Sequence, residues 1–259
     1  MTVHPLAEPF HADGDPGSPR GRVGVLLIHG FTGSNASMGP WGEYLAAQGY
    51  AVSMPRLPGH GTTWKDLNQA TWADWYAEVE RAFDELRGRC DRVVIGGLSM
   101  GGALALNLAE DRGSQVAGLV LVNPGLTNTH PARHVRHVLK HLVPAFPAIK
   151  NDIKKPGQDE IAYDRTPLKA AASMMDAWPG LIRDLPKVTQ PLLMFRSRED
   201  HVVDPGSGEH IMGKVSSQDL TERVLENSYH VATLDNDADL VFEGTASFVE
   251  RVAGAVAES

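Results

Sequence analysis

The stretch VVIGGLSMGGALAL, residues 93–106, restricts the fold more than any other part of the chain. A short β-branched run of the kind seen in buried parallel strands gives way to an alanine–leucine helical pattern, with a serine between two glycine pairs. Serine is a common helix cap, which accounts for Ser99 but not for the four glycines around it. Gly97-x-Ser99-x-Gly101 between a strand and a helix is the pattern of a nucleophile elbow. The turn is so tight that the neighbours of the serine need minimal side chains. It presents the hydroxyl at the strand's C-terminal end, beside a helix N-terminus that favours developing negative charge.

The remainder of the chain supplies the alternation such an elbow needs. Residues 23–28, 50–54, 92–95, 116–122, 191–195 and 220–225 read as strands. Residues 41–48, 71–87, 102–111 and 239–256 read as helices, the second with Trp72, Trp75, Tyr76, Val79 and Phe83 at three- and four-residue steps. Alternating strands and helices predict an α/β fold with a mostly parallel central sheet covered by helices on both faces. The turn cluster ADGDPGSPRG is expected to close a hairpin between residues 3–10 and 23–28. Residues 126–186 show no strand pattern, many prolines and two or three short helical patterns, and are expected to form a small inserted helical cap. Residues 1–125 and 187–259 would then make the core.

A serine hydroxyl needs a base, and the base needs an orienting carboxylate. On this framework the acid follows a late strand and the histidine comes last. RSREDHVVDP follows the strand at 191–195 and ENSYHVATLD follows the strand at 220–225. Asp200 is assigned as the acid and His230 as the base. Glu199 and Asp204 are the alternative acids, and His201 is a rival base whose side chain diverges from its neighbour Asp200. An oxyanion hole needs the N–H of the residue after the nucleophile, Met100, and one from the loop after an early strand. VLLIHGFTGS supplies the latter through the N–H of Phe31, with His29 expected to bond to structure beneath the site, while His60, in the similar turn RLPGHG, reads as structural.

Composition removes other classes. The 259 residues carry a formal net charge of −8, which disfavours nucleic acid as a partner. The single cysteine, Cys90, excludes an internal disulfide and reads as a small structural residue. No basic start followed by an apolar run opens the sequence, so no signal peptide and a cytoplasmic location are expected. No apolar run approaches the roughly 20 residues of a membrane span. Contact with lipid surfaces is expected to be transient at most.

HGFTGS, GLSMGG, EDHVVDP and NSYHVATLD together resemble the α/β-hydrolase superfamily, and within it the small bacterial carboxylesterases and monoacylglycerol lipases. The resemblance implies a serine–aspartate–histidine triad at Ser99, Asp200 and His230, no cofactor, and a small-molecule acyl ester as substrate. Short- to medium-chain esters and monoacylglycerols are the implied substrates. IKKPGQDEIAYDRTP is similar to a cap segment of that group whose glutamate contacts glycerol, here Glu160. HPARHVRHVLKH departs from the group's pattern. It places His130, His134, His137 and His141 on one helical face, read as a solvated or rim-facing row rather than a metal site because no carboxylate accompanies it. Acyl transfer to another alcohol, carbon–carbon bond hydrolysis and a ligand sensor on the same scaffold are the alternatives.

Overall fold

The central strands read as unbroken apolar runs because both of their faces are buried. In the computed structural model, which describes residues 2–126, 142–204 and 206–254, strand β2 (Val23–Ile28) is buried throughout. Leu26 and Ile28 join one apolar cluster while Val25 and Leu27 join another on the opposite face. The same alternation runs through β4 (Arg92–Leu98), β5 (Gly118–Val122) and β8 (Leu192–Ser197). With β1 (Phe10–Asp13), β3 (Ala51–Met54) and β9 (Leu220–Leu225) they form a seven-stranded sheet of order β1-β3-β2-β4-β5-β8-β9. All pairings are parallel except β1 with β3.

Helices cover both faces. Helix α3 (Trp72–Arg87) opens on a capping box between Thr71 and Asp74, which contributes about 1 kcal/mol. It buries Trp75, Val79, Phe83 and Leu86 in the cluster shared with α4 (Met100–Arg112). Helices α1 (Gly39–Ala47) and α7 (Ala238–Gly254) supply the other cluster through Trp41, Leu45, Val241 and Phe248. A short helix α2 (Trp64–Leu67) precedes α3, and α6 (Gly206–Lys214) joins β8 to β9. Among the described residues no helix is long and apolar enough to cross a membrane.

Two expectations are corrected. β1 pairs antiparallel with β3 (Phe10 opposite Met54, Asp13 opposite Ala51) and forms no hairpin with β2. Both edges of β2 are already taken, by β3 and β4, and the turn cluster winds into a short 3-10 helix at Pro19–Arg22, capped by Ser18. Second, the segment between β5 and β8 does contain strands. β6 (Ala145–Pro147) and β7 (Arg165–Pro167) make an antiparallel ribbon too short for periodicity to show. A 17-residue helix α5 (Leu168–Asp184) then follows without a break at the exposed Pro179. Its buried face of Ala170, Met174, Trp178 and Leu181 outweighs the local signal of the Trp-Pro-Gly sequence. The histidine row at 130, 134, 137 and 141 lies outside the described residues.

The turn between β4 and α4 is packed backbone to backbone. A Cβ on Gly101 would lie 2.0 Å from the Ile28 carbonyl oxygen, and one on Gly97 would lie 2.3 Å from the Gly101 carbonyl. Gly101→Ala is therefore expected to lower unfolding stability by about 2–3 kcal/mol. Gly180→Ala, in α5 with nothing within 4 Å of the added methyl, should raise it by about 0.5–1 kcal/mol. Urea unfolding of both variants checks the contrast.

Candidate active site

The loops leaving the C-terminal ends of β2, β4, β8 and β9 meet around one cavity of about 940 Å³. Ser99 occupies the turn after β4 with φ 55° and ψ −117°, a backbone that a side chain rarely adopts. Backbone hydrogen bonds hold it there, a longer one from Ala103 at 3.4 Å among them. Its N–H donates to the Val122 carbonyl at 3.0 Å, and its own carbonyl accepts from Gly102 at 3.0 Å and Gly125 at 3.1 Å. The side chain makes no cap bond to α4, and it lines the cavity.

Phe31 and Met100 line the same cavity. Beneath Phe31, the buried His29 places Nδ1 2.9 Å from the Gly30 carbonyl oxygen while Nε2 accepts the Leu57 N–H at 3.2 Å. An imidazole that accepts at Nε2 is neutral and carries its proton on Nδ1, so it donates to Gly30. Burial pushes its pKa down to about 4, which keeps that tautomer in place. Because the peptide is trans, anchoring the Gly30 carbonyl directs the Phe31 N–H away from the imidazole. His60 stacks edge-on against His29 at 4.7 Å and is likewise buried.

The late loops bring Asp200 and His230 together. Asp200 Oδ2 lies 2.8 Å from His230 Nδ1, with the two side chains 11% and 8% exposed. Burial alone would raise the Asp200 carboxyl. His230, together with the Val203 and Val202 N–H groups that donate to Oδ1 at 2.8 Å, outweighs burial and holds it below its ordinary value. For His230 burial works downward, and the Asp200 carboxylate with Glu160 and Asp152 overcomes it, so the ring's proton affinity is raised. Glu199 instead approaches His201 Nε2 at 3.4 Å, and Asp204 accepts the Gly206 N–H at 2.9 Å as α6 opens. His201 pairs with Asp152 at 2.7 Å rather than with Asp200.

Glu160 also lines the cavity, from a loop between β6 and β7. Its Oε1 accepts the Asn151 N–H at 2.7 Å while the Asn151 side chain accepts the Glu160 N–H at 3.0 Å. Burial pushes its carboxyl up, against the pull of the Asn151 amide and His230. Asp152 and Glu160 line the cavity together with the apolar Met174, Met175 and Trp178 from α5. The cavity thus offers both polar groups and hydrocarbon surface to a bound molecule.

Sequence reasoning missed three supporting residues. Asn123 (φ 44°) donates to the His230 carbonyl at 2.8 Å and to Ser197 Oγ at 2.9 Å, and accepts the Ser197 N–H at 2.7 Å. It ties the ends of β5 and β8 to the histidine loop. The buried Asp235 accepts N–H groups from Tyr229, Lys154 and Lys155 at 2.7–2.9 Å, and Asp152 accepts from His201 and His230 at 3.1 Å. Asn123 follows an apolar strand directly, a signal that was available. The two aspartates sit in polar loops whose partners are far away in sequence.

Residues 18–237 match the family described as serine aminopeptidase, S33. The thermostable monoacylglycerol lipase of Bacillus sp. (strain H-257) is 39% identical over 249 residues, covering 96% of this chain and 96% of the lipase. A carboxylesterase of Bacillus subtilis (strain 168) is 27% identical over 90% of this chain and 94% of its own. Among solved structures, one from work on LipS and LipT, two metagenome-derived lipolytic enzymes, superposes with a TM-score of 0.91 at 40% identity, covering 96% of this chain and all of that one. With its elbow, its sheet and this match across most of its length, the chain belongs to the serine aminopeptidase S33 family of α/β-hydrolases.

Proposed function

We propose that the protein hydrolyses carboxylic esters through an acyl-enzyme on Ser99, with monoacylglycerols and short- to medium-chain acyl esters as substrates. The observation that carries this reading is the buried His230–Asp200 pair, opening onto the same cavity as a serine held on a strained strand-to-helix turn. Although the family takes its description from a peptidase, the relatives at 39% and 27% identity are named as a lipase and a carboxylesterase, which favours esters.

In this mechanism Ser99 Oγ attacks the ester carbonyl carbon and gives its proton to the Nε2 of His230. The N–H groups of Phe31 and Met100 hold the tetrahedral oxyanion. The carbon–oxygen bond to the alcohol breaks, and the alcohol leaves with the proton from His230. Water then adds to the acyl-enzyme with His230 as base and releases the acid and Ser99. Asp200 keeps the proton of the neutral ring on Nδ1 and stabilises the imidazolium that forms. The segment 126–186 acts as the cap: α5 receives the acyl chain, and Glu160 accepts hydrogen bonds from the glycerol hydroxyls.

Ser99→Ala should abolish turnover of a chromogenic ester, and residual turnover equal to that of the unaltered protein would reject the nucleophile. Because His230 must be neutral to act and its proton affinity is raised above the ordinary 6.5, kcat/KM is lost as pH falls through a midpoint above that value. Asp200→Asn should lower kcat by about three to four orders of magnitude. It should also move that midpoint down, since the carboxylate is what holds the proton on the ring. A pH–rate profile on a neutral ester reads both effects.

Glu160→Ala should lose monoacylglycerol turnover by about tenfold or more, while simple alkyl esters of the same chain length are cleaved as before. Parallel assays on the two substrate classes decide this, and equal losses would remove Glu160 from glycerol recognition.

A further inference from the structure

Asp152 stands where three loops meet, and none of the steps above uses it. Its side chain is only 9% exposed. Oδ2 accepts the backbone N–H of His230 at 3.1 Å and that of His201 at 3.1 Å, while Oδ1 lies 2.7 Å from His201 Nδ1. Its own carbonyl accepts the Val231 N–H at 3.1 Å. One residue of the inserted segment thus holds the loop that carries the base, and the same carboxylate grips the residue next to the triad acid. The backbone is bent to put it there: Asn151, immediately before it, has φ 53°, and its side chain is locked to Glu160.

We infer that Asp152 is a positioning residue for the base, a carboxylate carried by the inserted segment that fixes the His230 loop to the Asp200 loop and supports the imidazolium formed during catalysis. This rests on the reading of His230 as the base. A carboxylate bonded to the backbone of the histidine it serves leaves both ring nitrogens free for other work. Nδ1 remains on Asp200, and the opposite nitrogen remains available to the serine. The field of Asp152 falls on the ring through a largely buried region, where it is screened less than at the surface. The charged groups acting on His230 are Asp200 from the acid loop and Asp152 and Glu160 from the inserted segment, and Asp152 also holds His201, whose proton affinity that bond raises. His201, when protonated, opposes the effect of Asp152, so the two must be separated in any test.

The arrangement also couples the inserted segment to the chemistry. Lys154 and Lys155 donate from their backbone to Asp235, and Asp235 in turn accepts from Tyr229, next to the base. A displacement of residues 151–155 would therefore loosen the histidine loop at two points at once.

The test follows the His230 ring by NMR titration, its resonance assigned by its loss in His230→Asn. It compares His201→Gln protein with the same protein carrying Asp152→Asn or Asp152→Ala, so that only the Asp152 charge and its bonds change. The amide of Asp152→Asn keeps an oxygen for both backbone N–H groups and removes the charge. It should lower the His230 midpoint by about half a unit or more. Asp152→Ala, which removes charge and bonds together, should lower it as well and reduce kcat on a simple ester about tenfold further. An unchanged or raised midpoint in the asparagine variant overturns the inference, whatever the alanine variant does, because a purely structural tie would leave it in place. The titration needs no turnover, so failure of the esterase reading would appear in the Ser99→Ala comparison and not here.

Discussion

The backbone of Ser99 is the constraint on which the site depends. A residue with φ 55° and ψ −117° has left the regions that side chains ordinarily occupy, at a cost of about 1–3 kcal/mol. The surrounding structure offsets this by closing every escape. Val122 holds the serine's N–H, and Gly102 and Gly125 hold its carbonyl. Gly101 lies so close to the Ile28 carbonyl that no side chain fits between the turn and the end of β2. The buried helix α4 then fixes the direction in which the chain departs. The hydroxyl's position is consequently set by the packing of three central strands rather than by any contact of its own.

The same strain recurs around the cavity. Among the described residues, those other than glycine with positive φ are Thr32, Ser99, Asn123, Asn151 and Ile161. Thr32 lies beside the Phe31 turn and hydrogen-bonds to its carbonyl at 2.6 Å. Asn123 supports His230, while Asn151 and Ile161 stand next to Asp152 and Glu160. Threonine and isoleucine are branched at Cβ and tolerate this backbone poorly, so their presence there reflects tertiary demands and not local preference.

That distinction explains what could be read from the sequence. The strand at residues 92–98 and the elbow after it were legible because their signals are local: an apolar run, paired glycines, then a helical pattern. The meeting of Asp200 and His230 was legible because each lies in a loop directly after a late strand. The β1 pairing was not, since four residues with intermediate and exposed positions leave no apolar run, and which edge they join depends on what β2 has already paired with. β6 and β7, of three residues each, fall below the length at which alternation is visible. Residues 126–186 were expected to hold only short helical patterns, and the buried stripe of Ala170, Met174, Trp178 and Leu181 explains why one long helix runs on through Pro179. Asp152 and Asp235 bond mainly to backbone N–H groups, which every sequence contains, so nothing in the residue types around them announced the contact.

The segment between β5 and β8 is bonded to the loops around the cavity at several points. Tyr163 donates its backbone N–H to the Thr32 carbonyl at 3.0 Å and its hydroxyl to the Gly59 carbonyl at 2.8 Å, which ties down the turn that carries Phe31. Asp152 secures the loop of His230 and the loop of Asp200. These attachments leave an acidic polar wall, and among the described residues lining the cavity there is no lysine or arginine. On the esterase reading this has a direct consequence for turnover. A neutral ester enters a field that does not oppose it, whereas hydrolysis creates a carboxylate beside Asp152, Glu160 and Asp200. Like charges in a partly desolvated space repel more strongly than they would in water, so the acid is driven out as it forms. The carboxylates that support the imidazolium during the reaction are then the groups that disfavour retention of the product.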